Sequence, residues 1–138
     1  MANFVLPANS KQWKTEKFSS KTTTAYDQGE LVYNDGTNTV PGTTTNRRMD
    51  GICQDAKAVG ATATTSLKYL VPREPNAGMI MDVGTGTIAK TDEGQCFDLT
   101  SSTTVNANAS TYSPVKLIKF LSTTKGIFVF NYEIGVDA

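Results

Sequence analysis

Apolar side chains recur at every second position in several stretches of this chain, and no stretch keeps the spacing of an amphipathic helix for three turns. Leu67, Tyr69 and Val71 fall on one side of the run from Ser66, and Met79, Met81 and Val83 do so in the run from Gly78. Phe128, Phe130 and Tyr132 share a face opposite Ile127, Val129 and Asn131. A period of two places alternate side chains on opposite faces of an extended backbone, so these runs predict sheets with one wet face. The run from Val115 to Leu121 changes phase between Leu117 and Ile118, which predicts a β-bulge that lets a small barrel bend.

Threonine is the commonest residue and clusters at Thr22–Thr24, Thr43–Thr45, Thr64–Thr65, Thr103–Thr104 and Thr123–Thr124. Its branched, hydroxylated side chain suits half-exposed strands and turn edges. Asn34-Asp35-Gly36 after Leu31-Val32-Tyr33 is a hairpin signal, because both central turn residues tolerate positive φ. Turns are also expected at Pro41-Gly42, Pro75–Gly78, Asp92–Gly94 and Lys125-Gly126, and one short helix around Asp55 to Gly60 stays open. With 138 residues the chain holds one core. The expectation is an all-β fold, a single compact β-barrel or β-sandwich, with an extended N-terminal arm.

The arm is read over residues 1–21 and the β domain over 22–138. Phe4, Trp13 and Phe18 stand widely spaced among polar residues there, with Lys11, Lys14, Lys17 and Lys21 against only Glu16. Phe4, Lys11, Trp13, Lys14, Lys17 and Phe18 are therefore expected to bind a partner or a neighbouring copy, aromatics as anchors and lysines on an acidic rim. The rival reading makes Trp13 and Phe18 core residues of a first strand. Ordering a residue costs about 1 to 2 kcal/mol of backbone entropy, and burying a large apolar side chain returns about 1.5 to 3. Three anchors cannot hold twenty residues, so the arm has to be partly preordered or add a strand to a neighbouring sheet.

The chain carries 13 basic and 13 acidic residues, which offers no global attraction to nucleic acid or to an anionic membrane. Its apolar runs stop well short of the roughly 18 to 20 residues of a spanning helix. The start, Met1 to Pro7, has no signal-peptide pattern, so synthesis in a cytoplasm is expected. There is no histidine, which excludes Ser-His-Asp triads, Cys-His proteases and zinc hydrolases. Cys53 and Cys96 lack CxxC spacing and read as buried free thiols, with a mutual disulfide kept as the rival reading.

Gly84-Thr85-Gly86-Thr87-Ile88-Ala89-Lys90-Thr91 approaches a phosphate-cradling loop, but Ala89 stands where the second glycine is required and Asp92-Glu93-Gly94 follows where a helix should. It reads as a turn or strand. The carboxylate pairs Asp27/Glu30 and Asp92/Glu93 read as solvated loop residues, and Asn34–Asn38 lacks the closing carboxylate of a calcium loop. No catalytic residue, metal or cofactor is expected.

Ala25–Tyr33, then Asp50–Ala56, Tyr69–Pro72, Asp82–Gly86, Gly94–Leu99 and Lys119–Phe130 together resemble the strand-and-turn pattern of phage head decoration, or cement, proteins, over roughly Thr24 to Tyr132. The resemblance implies a β-barrel or β-tulip domain on the capsid exterior. It also implies binding between subunits of the major capsid protein, self-association as a trimer or dimer, a stiffened head and no catalytic residues. It implies a virion component made in the cytoplasm of a bacterial host. The arm with Trp13 departs from the smallest members. Other expectations kept beside it are another virion β domain (head–tail connector, tail tube or fibre base) and a small nucleotide-binding module around Gly84–Thr91.

Overall fold

A computed structural model describes residues 4–21, 24–57 and 66–131. Eleven strands follow one another: β1 (Leu6–Pro7), β2 (Trp13–Ser19), β3 (Leu31–Asn34), β4 (Thr39–Pro41), β5 (Gly51–Cys53), β6 (Ser66–Pro72), β7 (Met79–Thr85), β8 (Cys96–Leu99), β9 (Thr104–Asn106), β10 (Val115–Ser122) and β11 (Lys125–Phe130). Two single 3-10 turns, Ser10–Gln12 and Lys90–Asp92, are the only helical pieces among the described residues. The fold is all-β, as the alternation predicts. Asp55 to Lys57 forms a bend and an isolated bridge between Lys57 and Tyr26, and 58–60 lie outside the described residues, as does Tyr132.

One sheet has the order β1-β7-β11-β10-β8-β9, and a parallel pairing of β7 with β9 closes its last five strands into a barrel. The inward positions fill that barrel: Met79 and Met81, Phe97 and Leu99, Val105, Val115 and Leu117, Phe128 and Phe130 are all buried. A closed barrel of this size leaves no open edges and just enough room for side chains. The predicted bulge is present: pairing jumps from Leu117↔Phe128 to Lys119↔Ile127, which leaves Ile118 as the extra residue. The turn expected at Lys125-Gly126 lies instead at Thr123–Thr124, with Gly126 inside β11. A β-carbon on Gly126 would come within 2.6 Å of Leu117 Cδ1, so close packing requires this glycine. The Asn34–Gly36 hairpin joins β3 to β4, and of its turn residues only Gly36 takes positive φ, at 105°.

The second sheet is antiparallel, with order β2-β6-β5-β3-β4. Here the expected arm is corrected. Residues 13–19 pair along their whole length with Ser66–Pro72, and Trp13 and Phe18 are buried core residues. They stand an odd number of positions apart and so face opposite sides of the sheet. Trp13 joins the barrel core, edge-on to Phe130 at 5.9 Å, and its indole Nε1 donates to the carbonyl of Gly78 at 3.1 Å. Phe18 joins a smaller cluster with Tyr26, Val32, Cys53 and Leu67.

No boundary falls at residue 21. The Lys21 N–H donates to the Tyr26 hydroxyl at 2.8 Å, and that hydroxyl donates to the Thr39 carbonyl at 2.6 Å. One buried phenol thus bridges the end of the β2 segment to the first residue of β4, the two outer strands of the sheet. The segment failed to be an arm because two large aromatics bury on both faces of a strand, which outweighs what either could gain from a partner.

Candidate docking surface

Of the six residues expected to bind a partner, four remain available. Lys11 is exposed on the first 3-10 turn, Lys14 and Lys17 are exposed on β2, and Phe4 is 47% exposed just before β1. Trp13 and Phe18 are not available. Deleting residues 1 to 21 would therefore remove β1, β2 and two core aromatics, and would report on folding rather than docking.

Three of the four acidic residues weighed as acid-base pairs, Glu30, Asp92 and Glu93, are tied to main-chain amides. Glu30 accepts from Asp27 N–H at 2.6 Å and from the Ser102 hydroxyl at 2.6 Å. Asp92 accepts from Ala89 N–H at 2.8 Å, and Glu93 from Phe120 N–H at 2.8 Å. That last bond, with Lys90 nearby, holds the Glu93 carboxyl below its ordinary range. Asp50, Asp55 and Asp98 likewise accept from the main-chain amides of Asn34, Lys68 and the Thr111–Ser113 loop. Charged acceptors of this kind act as loop clamps. Gly84–Thr91 runs through the end of β7 and enters a three-residue 3-10 turn, so no α-helix follows to aim amides at a phosphate. Among the described residues no three His, Cys, Asp or Glu side chains gather as a cation site.

Neither Cys53 nor Cys96 forms a disulfide. Burial pushes Cys53 up to about 11, and its Sγ contacts the Asp55 carbonyl at 3.0 Å. Because the folded value lies above the unfolded one, the stability this thiol contributes is whole below about pH 9 and is lost as pH rises through about 11. Cys96 is only half-buried. A thiol reagent at about pH 8 is expected to modify Cys96 alone in the native protein and both residues in denaturant. Equal labelling of the two in the native state would contradict this packing.

A surface row that no single segment reveals remains. Leu6 on β1 lies opposite Ile80 on β7, and Ile80 lies opposite Ile127 on β11. The bulged Ile118 completes it: Ile127 Cγ2 and Ile118 Cδ1 both come within 4 Å of the point where a side chain on Gly78 would begin. These four side chains make one apolar row across the outside of the barrel. Leu6 is 55% exposed and Ile118 42%, large values for such residues.

Comparison with family models, with curated proteins and with solved structures returned no match.

Shallow hollows flank the row at both ends. One of about 390 Å³ is walled by Phe4 to Pro7 with Gln28, Gly29, Gln54 and Leu70. The other, about 270 Å³, is walled by Pro75, Asn76, Lys116, Ile118 and Val129 to Asn131. Lys116 and Lys119 border the row, and the ion pairs among the described residues use neither. Sequence reading found Phe4 but missed Leu6, Ile80, Ile118 and Ile127. Each is an ordinary alternating residue of its own strand, and only strand order makes them neighbours.

Proposed function

We propose that this chain is a structural virion protein that binds the outer surface of the major capsid protein lattice and stabilises a phage head. The apolar row between two hollows carries the reading. It offers a non-catalytic contact face of the kind that meets another protein: apolar at its centre, with Lys116 and Lys119 as a polar rim. The sequence resemblance supports the same reading. A rim of this sign fits acidic residues on the partner, and repetition of the site over a lattice raises effective concentration, so a modest contact gives firm attachment. No reaction and no cofactor form part of this function.

Particles purified from the source should carry hundreds of copies if the chain decorates a head, as a lattice demands. A dozen copies or fewer would point to a connector or fibre base, and none would reject a virion role. Ile127→Asp and Leu6→Asp should each lower particle occupancy at least about tenfold, since a desolvated carboxylate opposes docking. Retained thermal stability of the variants separates lost docking from lost folding. Unchanged occupancy in both would remove the row from the interface.

A further inference from the structure

The two outer strands of the second sheet, β2 and β4, face each other across a seam that no main-chain bond closes among the described residues. The Tyr26 hydroxyl bridges it at one point, between the Lys21 N–H and the Thr39 carbonyl. The same seam holds a hollow of about 250 Å³, walled by Lys17–Ser19 of β2, by Asn34 and Thr37–Thr39 of the hairpin and by Tyr69 of β6. It shares no residue with the apolar row on the barrel.

Main-chain groups reach the seam from both sides. The bond from Arg73 N–H to the Gln12 carbonyl, 2.7 Å, fixes the alternation along β2. With the register Lys17↔Lys68 and Ser19↔Ser66, the N–H and carbonyl of Lys17 and of Ser19 then point away from β6. Across the seam, Asp35 N–H donates to the Asn38 carbonyl at 2.9 Å and Gly42 N–H to the Leu31 carbonyl at 2.8 Å. Asn34↔Thr39 is therefore a pair without mutual bonds, and the main-chain groups of Thr39 point away from β3. Tyr26 takes the Thr39 carbonyl, but the Thr39 N–H, on a buried residue, has no acceptor among the described residues. The hydroxyls of Ser19, Thr37 and Tyr69 and the Asn38 side-chain amide bond to no other described residue. Edge-to-face packing on Phe18 at 5.1 Å fixes where the Tyr69 ring stands. Polar groups gathered in a hollow and left without protein partners are met by water or by a ligand.

The mixture of donors and acceptors selects the ligand class. An apolar ligand would strand the donors. An anion would meet the carbonyls of Lys17 and Ser19, and a metal ion finds no carboxylate among the lining residues. A hydroxyl both donates and accepts, so a small ring bearing several of them can answer each group in turn. We propose that the seam hollow binds a neutral, hydroxyl-rich ligand, one hexose unit. Its oxygens accept from the Ser19 and Thr39 N–H groups, and its hydroxyls donate to the Lys17 and Ser19 carbonyls. Tyr69, Thr37 and Asn38 select among epimers by where their polar atoms stand. The size agrees, since the hollow lies just below the usual range of ligand pockets, about 300 to 1,000 Å³. This inference stands on the seam alone and is independent of the capsid reading.

Titration of the isotope-labelled whole chain with D-glucose, D-galactose, D-mannose and N-acetyl-D-glucosamine, followed through its amide resonances, tests it. At least one sugar should give saturable shifts at Ser19, Thr37, Asn38 and Thr39, with a Kd of about 1 to 10 mM, the range open to a ligand of about a dozen non-hydrogen atoms. Tyr69→Phe, Thr37→Val and Asn38→Ala remove polar atoms that bond to no other described residue. Each should keep the parent's melting temperature and weaken that sugar about fivefold or more. If one variant melts early, the other two and the parent titration still decide. No saturable shift with any of the four sugars would overturn the proposal, as would saturable shifts confined to another face or an affinity unchanged in all three variants. Sodium sulfate is the control: saturation of the same amides by sulfate and not by sugar would make the hollow an anion site and reject the hexose. Particle occupancy does not enter this test, so its failure would leave the capsid reading untouched.

Discussion

Trp13→Ala is expected to lower folding stability by about 3 to 5 kcal/mol, the range for truncating a buried aromatic. A domain of this size has about 5 to 15 kcal/mol in all, so the variant would sit close to unfolding at room temperature. Three losses combine: the ring's burial between the second sheet and the barrel, the edge-on contact with Phe130 at 5.9 Å, and the indole bond to Gly78. The last leaves a carbonyl without its donor in a buried place. Urea denaturation followed by circular dichroism measures the effect, since Trp13 is the only tryptophan and takes its fluorescence with it. If residues 1–21 were a docking segment, the same substitution would change stability by less than about 0.5 kcal/mol. Trp13→Phe keeps a ring but no donor and should fall between parent and alanine variant.

The other large effect is expected at Asp98. This buried carboxylate on β8 accepts three main-chain amides: Tyr112 and Ser113 N–H, each at 2.7 Å, and Thr111 N–H at 3.2 Å. They hold the loop that delivers the chain into β10, and they help keep Ser113 at φ 52°, a left-handed conformation a serine seldom adopts. Asp98→Ala removes every acceptor at once and should cost about 3 to 5 kcal/mol, because bonds to a charged group are worth more than neutral ones. Asp98→Asn keeps one carbonyl oxygen in place and should cost about half as much. Amide exchange at Tyr112 and Ser113 should accelerate in both variants more than exchange inside β11. A loss under about 1 kcal/mol in Asp98→Ala would mean that the loop is held by its packing instead.

Asp98 shows how a residue can be prominent in the fold and silent in the sequence. Its partners lie more than a dozen positions downstream, and nothing in Cys96-Phe97-Asp98-Leu99 marks the aspartate as buried on the face away from the barrel interior. Neighbouring Phe97 and Leu99 are buried on the opposite face, as the alternation of a strand requires. The acids at Glu30, Asp92 and Glu93 read as loop residues, and loop residues they are, yet which amide each one holds depends on where the chain returns.

Strands β7, β10 and β11 of the barrel, the bulge at Ile118 and the Asn34–Gly36 hairpin were written locally, because a two-residue period, a phase change and a positive φ are properties of adjacent residues. Even the opposed burial of Trp13 and Phe18 was implicit in their odd spacing, had the segment been taken as a strand. Strand order was not local. That β7 pairs in parallel with β9 to close a barrel, and that Leu6, Ile80, Ile127 and Ile118 end up side by side, depends on contacts between residues far apart in the chain. Those contacts are selected by the burial of the whole apolar set at once, and no single segment carries that information.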